Sequence, residues 1–297
     1  PHATINSWKG VCPGLAGKWR RMAASQPEQA GQSLQFLKLG GSLITEKSRP
    51  STPRLDTLAR LAGEIAGARK EQPGLQLILG HGSGSFGHVP AHKYGTRRGV
   101  RTRGEWLGFA EVWQQAAALN RLVVDALHAA GVPTIVFPPS ACVTAEDGRA
   151  ADWDLSPLRR ALEAGLLPVV YGDTVFDRRR GGTILSTEDL FVYLTGQLMP
   201  RRWLLAGLEP GVWADFPECT RLIDEITPQK WEALSGLIRG SEAVDVTGGM
   251  ASKVALSLQL LQEFEGLEIL VFSGEKTGAV RDALLGDSPG TRIRGGP

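Results

Sequence analysis

The sequence has 297 residues, 42% hydrophobic and 22% charged, which is ordinary globular usage and long enough to bury a large core without staples. Its 33 basic and 31 acidic side chains leave a formal charge of +2, so charge gives no argument for a nucleic acid or a membrane surface as partner. No apolar run approaches the roughly 18–20 residues of a membrane span, and three scattered cysteines, Cys12, Cys142 and Cys219, lack CxxC spacing, which argues against a disulfide framework or zinc site and for a reducing cytoplasm.

Residues 1–33 are polar and aperiodic and begin with Pro1. They carry KWRR at 18–21 but no apolar stretch of a secretory signal, and Met22 is a candidate start. They are expected to be a flexible extension outside the fold. From residue 34 the pattern is strand, glycine-rich turn, helix, repeated. LQFLKLG (34–40) reads as a buried strand, 55–69 as a helix, and LQLILG (75–80) as a second strand ending at a glycine cluster. Residues 104–130 read as one long helix or two, PTIVFP (133–138) as a strand, 156–165 as a helix and LLPVVYGD (166–173) as a strand. TVFDRRRGGTIL (174–185) reads as a hairpin with Gly181-Gly182 at its turn. Ser186 or Thr187 is expected to cap a helix over 188–198, with Glu188 and Asp189 in its first turn. RRWLLAGL (201–208) and LEILVFSG (267–274) are strands, 228–238 and 250–264 helices, and TRIR (291–294) closes a sheet edge. Strands alternating with helices predict an α/β fold with a mainly parallel sheet covered on both faces.

Four motifs carry chemistry. KLGGS (38–42) follows the first strand, and its glycines let backbone N–H groups approach an anion while Lys38 adds a point charge. HGSGSFGH (81–88) follows the second strand. Gly82, Gly84 and Gly87 formally spell the dinucleotide fingerprint, with Glu105 near the ~20-residue distance of a ribose-binding acid. Pro90 and the polar stretch to Gly104 fit poorly with an immediate long helix, and a loop wrapping a phosphate, with His88 on it, accounts for more residues. DVTGGMASK (245–253) opens a helix, so free N–H groups and the positive dipole end face an anion, with Lys253 one turn in. In STEDL (186–190), Asp189 is either a plain N-terminal acid or a carboxylate that keeps two converging lysines from repelling each other. Taken singly, each motif also has a bland reading as a turn, a cap or a solvated lysine. Together they form a phosphoryl-transfer constellation, a reaction that needs positioning and positive charge more than covalent chemistry. GxxxxGK[ST], HRD and DFG are all absent, which excludes P-loop enzymes and protein kinases.

KLGGSLITEK (38–47), HGSGSFGH (81–88), YGD (171–173), STEDL (186–190), DVTGGMASK (245–253) and GTRI (290–293) resemble isopentenyl phosphate kinases of the amino acid kinase superfamily, in register from about 34 to 294. The resemblance implies an αβα three-layer sandwich, an N-terminal lobe (34–185) for the phosphate acceptor and a C-terminal lobe (186–297) for ATP. It implies ATP with Mg²⁺ carried by the nucleotide and no protein metal site, an isoprenoid monophosphate as substrate, and a homodimer. By position, Lys38, His88, Asp189 and Lys253 would be catalytic. Lys38, Gly40, Gly41, Lys47, Gly84, Asp189, Gly248, Gly249 and Lys253 would bind ATP. Ser83, Gly84, His88, Gly172 and Asp173 would bind the acceptor, and Asp189 would organise the lysines.

Three departures stand out. Ser83 replaces a glycine of the usual HGGGSFGH, adding a side chain where backbone approach is tight. LLAGLEPGVWADFP (204–217) stands where the superfamily often has LTDVDGVY, keeping the Gly-Val turn but losing an acid. Ser252 replaces a lysine of some members. An apolar pocket for the acceptor tail is expected beside the phosphate loop. Trp106, Phe109, Val112 and Trp113 are candidates, although most of such a stripe is core. Arginines 97, 98, 101 and 103 are either a steering patch or a solvated loop. The alternatives are a fosfomycin-type phosphonate kinase, a uridylate or acetylglutamate kinase, a nicotinamide oxidoreductase and a non-catalytic nucleotide sensor.

Overall fold

A computed structural model describes residues 33–296, except 216 and 233–249 and the side chains of 88–90. Fourteen strands are described: β1 (Gln35–Leu39), β2 (Leu77–His81), β3 (Thr134–Val136), β4 (Val143–Glu146), β5 (Arg149–Trp153), β6 (Leu167–Tyr171), β7 (Asp173–Asp177), β8 (Gly181–Leu185), β9 (Arg202–Gly207), β10 (Val212–Trp213), β11 (Leu222–Ile223), β12 (Glu225–Ile226), β13 (Glu268–Ser273) and β14 (Thr291–Arg294). Eight of them form one sheet in the order β12-β14-β13-β9-β1-β2-β6-β3, parallel throughout except for the β13–β14 pair.

The central strands QFLKL, LPVVY and RWLLAG are apolar almost without interruption because both of their faces are covered. Phe36 of β1 joins a core with the helices Ser156–Glu163, Thr187–Leu198 and Met250–Glu263. Its neighbours Leu37 and Leu39 point the other way, into a core with Leu55–Glu71, Arg103–Ala129 and Ala279–Leu285. The result is the expected αβα sandwich. From β1 the sheet extends through β2, β6 and β3 on one side, filled by the earlier part of the chain, and through β9 and β13 on the other, filled by the later part. The β1/β9 junction is therefore a topological switch point, where open α/β sheets bind ligands outside the carboxyl ends of their strands.

Several expectations need correction. A helix, Gly84–Tyr94, starts inside the second glycine motif and carries Pro90, so that motif is a helix entry and not a free loop. Residues 103–129 form one helix, begun by a capping box between Thr102 and Glu105, which is why Glu105 is a cap. In the β7–β8 hairpin the turn is residues 178–180, while Gly181 and Gly182 already pair with Asp177 and Phe176. TRIR pairs on both sides, and the short β12 forms the edge. Of the helix expected over 228–238, residues 228–232 are helical and the remainder lies outside the described residues.

The antiparallel hairpin β4–β5 went unread in the sequence, although its turn is Asp147-Gly148, both at positive φ, a strong hairpin signal. With β7 and β8 it builds a second, four-stranded sheet. Asp177 ties the two turns together. Its carboxylate accepts from the backbone N–H of Asp147 (3.2 Å), Gly148 (2.7 Å), Arg179 (2.8 Å) and Arg180 (2.8 Å). Replacing Asp177 by Ala leaves these donors without an acceptor and is expected to cost about 2–3 kcal/mol. Urea unfolding measures this, and a loss below about 0.5 kcal/mol would show that the turns hold without it.

Candidate active site

Two glycine turns meet at the carboxyl ends of β1 and β2. Gly40 N–H donates to Ala206 O (2.8 Å) on β9, and Gly82 N–H donates to Leu39 O (3.0 Å) on β1. The turns touch backbone to backbone: a Cβ on Gly41 would lie 2.6 Å from Gly84 Cα, and one on Gly84 would lie 2.6 Å from Gly41 O. Gly84 also sits at φ +50°, so neither position accepts a side chain. Ser83, the departure flagged above, has φ −77° and ψ −14°, which any residue adopts without strain. Its side chain is accommodated, and Gly84 is the glycine that this turn requires. Among the described residues no protein acceptor meets the N–H groups of Gly41, Ser42, Ser83 or Gly84, so two short helix starts present donors side by side.

Lys38 lies on β1 on the same face as Phe36, just below the first glycine turn. Its ammonium meets the Oε1 of Glu188, with the two side chains only 13% and 18% exposed. Asp189 does something else. Ser186 is the N-cap of the helix Thr187–Leu198, and Asp189 completes its capping box, accepting from Ser186 N (2.8 Å) and Ser186 Oγ (2.7 Å). The same oxygen pairs with Arg97 at 3.0 Å. The carboxylate that contacts Lys38 is therefore Glu188 and not Asp189. The cap captures the acid at the third helical position, and the residue before it, about 100° around the helix, faces β1.

Burial pushes the Glu188 carboxyl upward, but the Lys38 ammonium, its hydrogen bond and the charge of Lys253 outweigh this and hold it below the ordinary carboxylate value. Lys253 lies in the first turn of Met250–Glu263. Lys38, Glu188 and Lys253 line one cleft with Gly40, residues 205–209, Met250 and Val271. Glu209 is among them, accepting from Trp213 Nε1 at 2.9 Å. The segment read as having lost an acid thus brings one to the cleft wall.

The other expected site residues divide. Gly172 abuts the second glycine turn, its N–H donating to His81 O (3.2 Å). Asp173 is 1% exposed, and its carboxylate accepts from Ser140 N (3.2 Å) and Thr174 N (2.8 Å), so it braces the wall instead of offering an open ligand. Lys47 is exposed on the turn after Thr45 and is not among the residues lining the cleft. His88 falls in the second turn of Gly84–Tyr94, and its side chain lies outside the described residues. Gly248 and Gly249 also lie outside the described residues. Phe109 and Val112 are core, Trp106 packs against Phe109 (5.2 Å) and Phe176 (5.9 Å), and Trp113 is exposed. No three His, Cys, Asp or Glu side chains gather as a metal site among the described residues, and no described helix is long and apolar enough to cross a membrane.

Residues 33–273 match the family model described as the amino acid kinase family. The chain is 38% identical over 273 residues to isopentenyl phosphate kinase of Methanothermobacter thermautotrophicus, covering 88% of this chain and 98% of that one. It is 32% identical over 269 residues to the enzyme of the same name from Methanocaldococcus jannaschii, again covering 88% and 98%. A solved isopentenyl phosphate kinase structure aligns with a TM-score of 0.73 at 33% identity, over 88% of this chain and 99% of that one. The product complex of the Thermoplasma acidophilum enzyme aligns at 0.70 with 25% identity, covering 88% and 100%.

Asp173 makes a pH prediction. Burial pushes its carboxyl up to about 6, against the hydrogen bonds from Ser140, Thr174 and Tyr171 that pull it down. A folded value above the unfolded one means that the folded state prefers protonated Asp173. The penalty for ionising it is absent below about pH 4, grows as pH rises, and is constant above about 6, at up to about 3 kcal/mol. Asp173→Asn lacks this penalty, so its stability relative to the natural chain is expected to climb between pH 4 and 6 and then level off. Thermal melts across that range measure it, and a flat difference would return Asp173 to an ordinary carboxyl.

Proposed function

The chain belongs to the amino acid kinase family and, within it, to the isopentenyl phosphate kinases, and from this we propose that it transfers the γ-phosphoryl group of ATP to isopentenyl phosphate, giving isopentenyl diphosphate. The observation that carries the reading is the Lys38–Glu188–Lys253 group at the switch point of the sheet, beside two glycine turns in which the N–H groups of Gly41, Ser42, Ser83 and Gly84 meet no protein acceptor among the described residues.

An oxygen of the acceptor's phosphate attacks the γ-phosphorus in line. The bond from that phosphorus to the β–γ bridging oxygen breaks, and ADP leaves with the bond's electron pair. Lys38 and Lys253 match the charge on the transferring group from one side, and the free N–H groups of Gly41, Ser42, Ser83 and Gly84 match it from the other. Two ammonium groups about 4–6 Å apart repel by roughly 3–4 kcal/mol at an effective dielectric near 20. Glu188, paired with Lys38 and acted on by the charge of Lys253, offsets that repulsion before substrate arrives. It takes the organising role first assigned to Asp189.

Gly40, Gly41, Lys47, Gly84, Gly248 and Gly249 belong to the ATP side of this reading, and Ser83, His88 and Gly172 to the acceptor side, supported by their match to the family's motifs. Mg²⁺, carried on the nucleotide's phosphates, would neutralise their charge. An acceptor lobe ending near residue 185, a homodimer and a cytoplasmic location complete the proposal, the last supported by the scattered thiols.

Coupled ADP release with ATP, Mg²⁺ and a panel of isopentenyl phosphate, dimethylallyl phosphate, fosfomycin, UMP and acetylglutamate tests the activity. Preference for isopentenyl phosphate is expected, and turnover of another acceptor in its place would overturn the assignment. In the same assay Lys38→Ala is expected to lose about 10²–10³ in turnover. Glu188→Gln is expected to lose more turnover than Asp189→Ala, whose main effect is about 1–2 kcal/mol of stability through the lost cap. The reverse order would restore the organising role to Asp189.

A further inference from the structure

His81 ends β2 and belongs to none of the roles above. It is fully buried at 0% exposure, and its ring stacks on Tyr171 at 5.4 Å and 6°. Nδ1 lies 3.1 Å from Gly82 O, and Nε2 lies 3.1 Å from Oδ1 of Asn120 on the helix Arg103–Ala129. Its backbone carbonyl accepts from Thr187 Oγ1 (2.6 Å) and Gly172 N (3.2 Å). One residue thus touches the second glycine turn, the neighbouring strand, the long helix and the helix that bears Glu188.

Burial in this apolar setting lowers the His81 pKa, so the ring is neutral at neutral pH. A neutral ring has one N–H, and Gly82 O can only accept. The proton therefore sits on Nδ1, and the Asn120 amide, whose oxygen and nitrogen exchange places by a flip, is the partner that adapts, donating its N–H to Nε2. This fixes the Gly82 carbonyl on the core side. In a trans peptide the C=O and the following N–H point in opposite directions, so the same bond aims the Ser83 N–H away from the core. Ser83 is one of the residues whose N–H meets no protein acceptor among the described residues, and it sits where the two glycine turns meet.

We propose that His81 is a positioning residue for the phosphoryl acceptor: its Nδ1–H holds the Gly82 carbonyl inward so that the Ser83 N–H faces the acceptor's phosphate. The proposal rests on the kinase reading above. Without the ring, the Gly82–Ser83 peptide is free to rotate and turn a carbonyl oxygen toward an anion.

Asn and Gln separate the two ring nitrogens. In His81→Asn the amide N–H falls at the place of Nδ1 and restores the bond to Gly82. In His81→Gln it falls at the place of Nε2 and does not. Both variants remove the Tyr171 stack, so both are expected to lower the melting temperature, which a merely structural role would also do. The distinguishing readout is steady-state kinetics with isopentenyl phosphate and ATP. His81→Gln is expected to raise the acceptor KM about tenfold or more with the ATP KM unchanged, and His81→Asn to stay within about threefold of the natural chain. Equal acceptor KM values for the two variants, or a parallel rise in the ATP KM, would overturn the proposal. The nitrogen shifts of the His81 ring, read by NMR on the natural chain, give a test independent of turnover. Protonation at Nδ1 is expected, and the Nε2-protonated tautomer overturns the proposal even where isopentenyl phosphate proves not to be the acceptor.

Discussion

The contact on which the site depends is backbone against backbone, where Gly41 meets Gly84. Two parallel strands, β1 and β2, deliver their ends one strand spacing apart, and each must turn at once into a helix. Only residues without a Cβ let those turns close on each other, and the Gly82–Leu39 hydrogen bond completes the seam. The consequence is a cluster of N–H groups that meet no protein acceptor among the described residues. Unmet donors in a half-buried place are costly unless something anionic or water meets them.

Charge is arranged around that cluster with the same economy. Three ionisable groups from three separate elements meet at the cleft: Lys38 from β1, Glu188 from the helix Thr187–Leu198 and Lys253 from Met250–Glu263. Glu188 meets the Lys38 ammonium, and the charge of Lys253 adds to the pull that holds its carboxyl below the ordinary value. The helix that carries Glu188 is in turn fixed by Ser186 and Asp189, and Asp189 holds Arg97 outside. Two adjacent acids in one tetrapeptide thereby face different ways, one capping the helix and one meeting Lys38.

Much of the fold was legible in the sequence. Strands buried on both faces must be mostly apolar, and β1, β2, β6, β9 and β13 are. Helix positions followed from 3.6-residue periodicity, and the order of the glycine motifs pointed to an αβα kinase. The β4–β5 hairpin was missed because it is short and its Arg149–Trp153 strand is half exposed, although Asp147-Gly148 marked its turn. The β7–β8 turn was misplaced because two glycines outweighed an Asp177 that accepts from the N–H groups of Arg179, Arg180 and Gly148, the last seen only once the neighbouring turn stands beside it.

By itself the sequence determined the chemical class. Lysines and glycines after successive strands can serve little but an anion, and their residue types are local facts. Only the tertiary structure decided which groups act together. Whether Glu188 or Asp189 meets Lys38 depends on helix phase relative to a strand about 150 residues away in the chain. Whether Ser83 is tolerated depends on its φ, and whether Asp173 is a ligand or a brace depends on Ser140 beside it. The role of His81 depends on Asn120, Tyr171 and Thr187 converging on one ring and one carbonyl. Phase, register and distant contact are properties of the packed chain, and no reading along one dimension contains them.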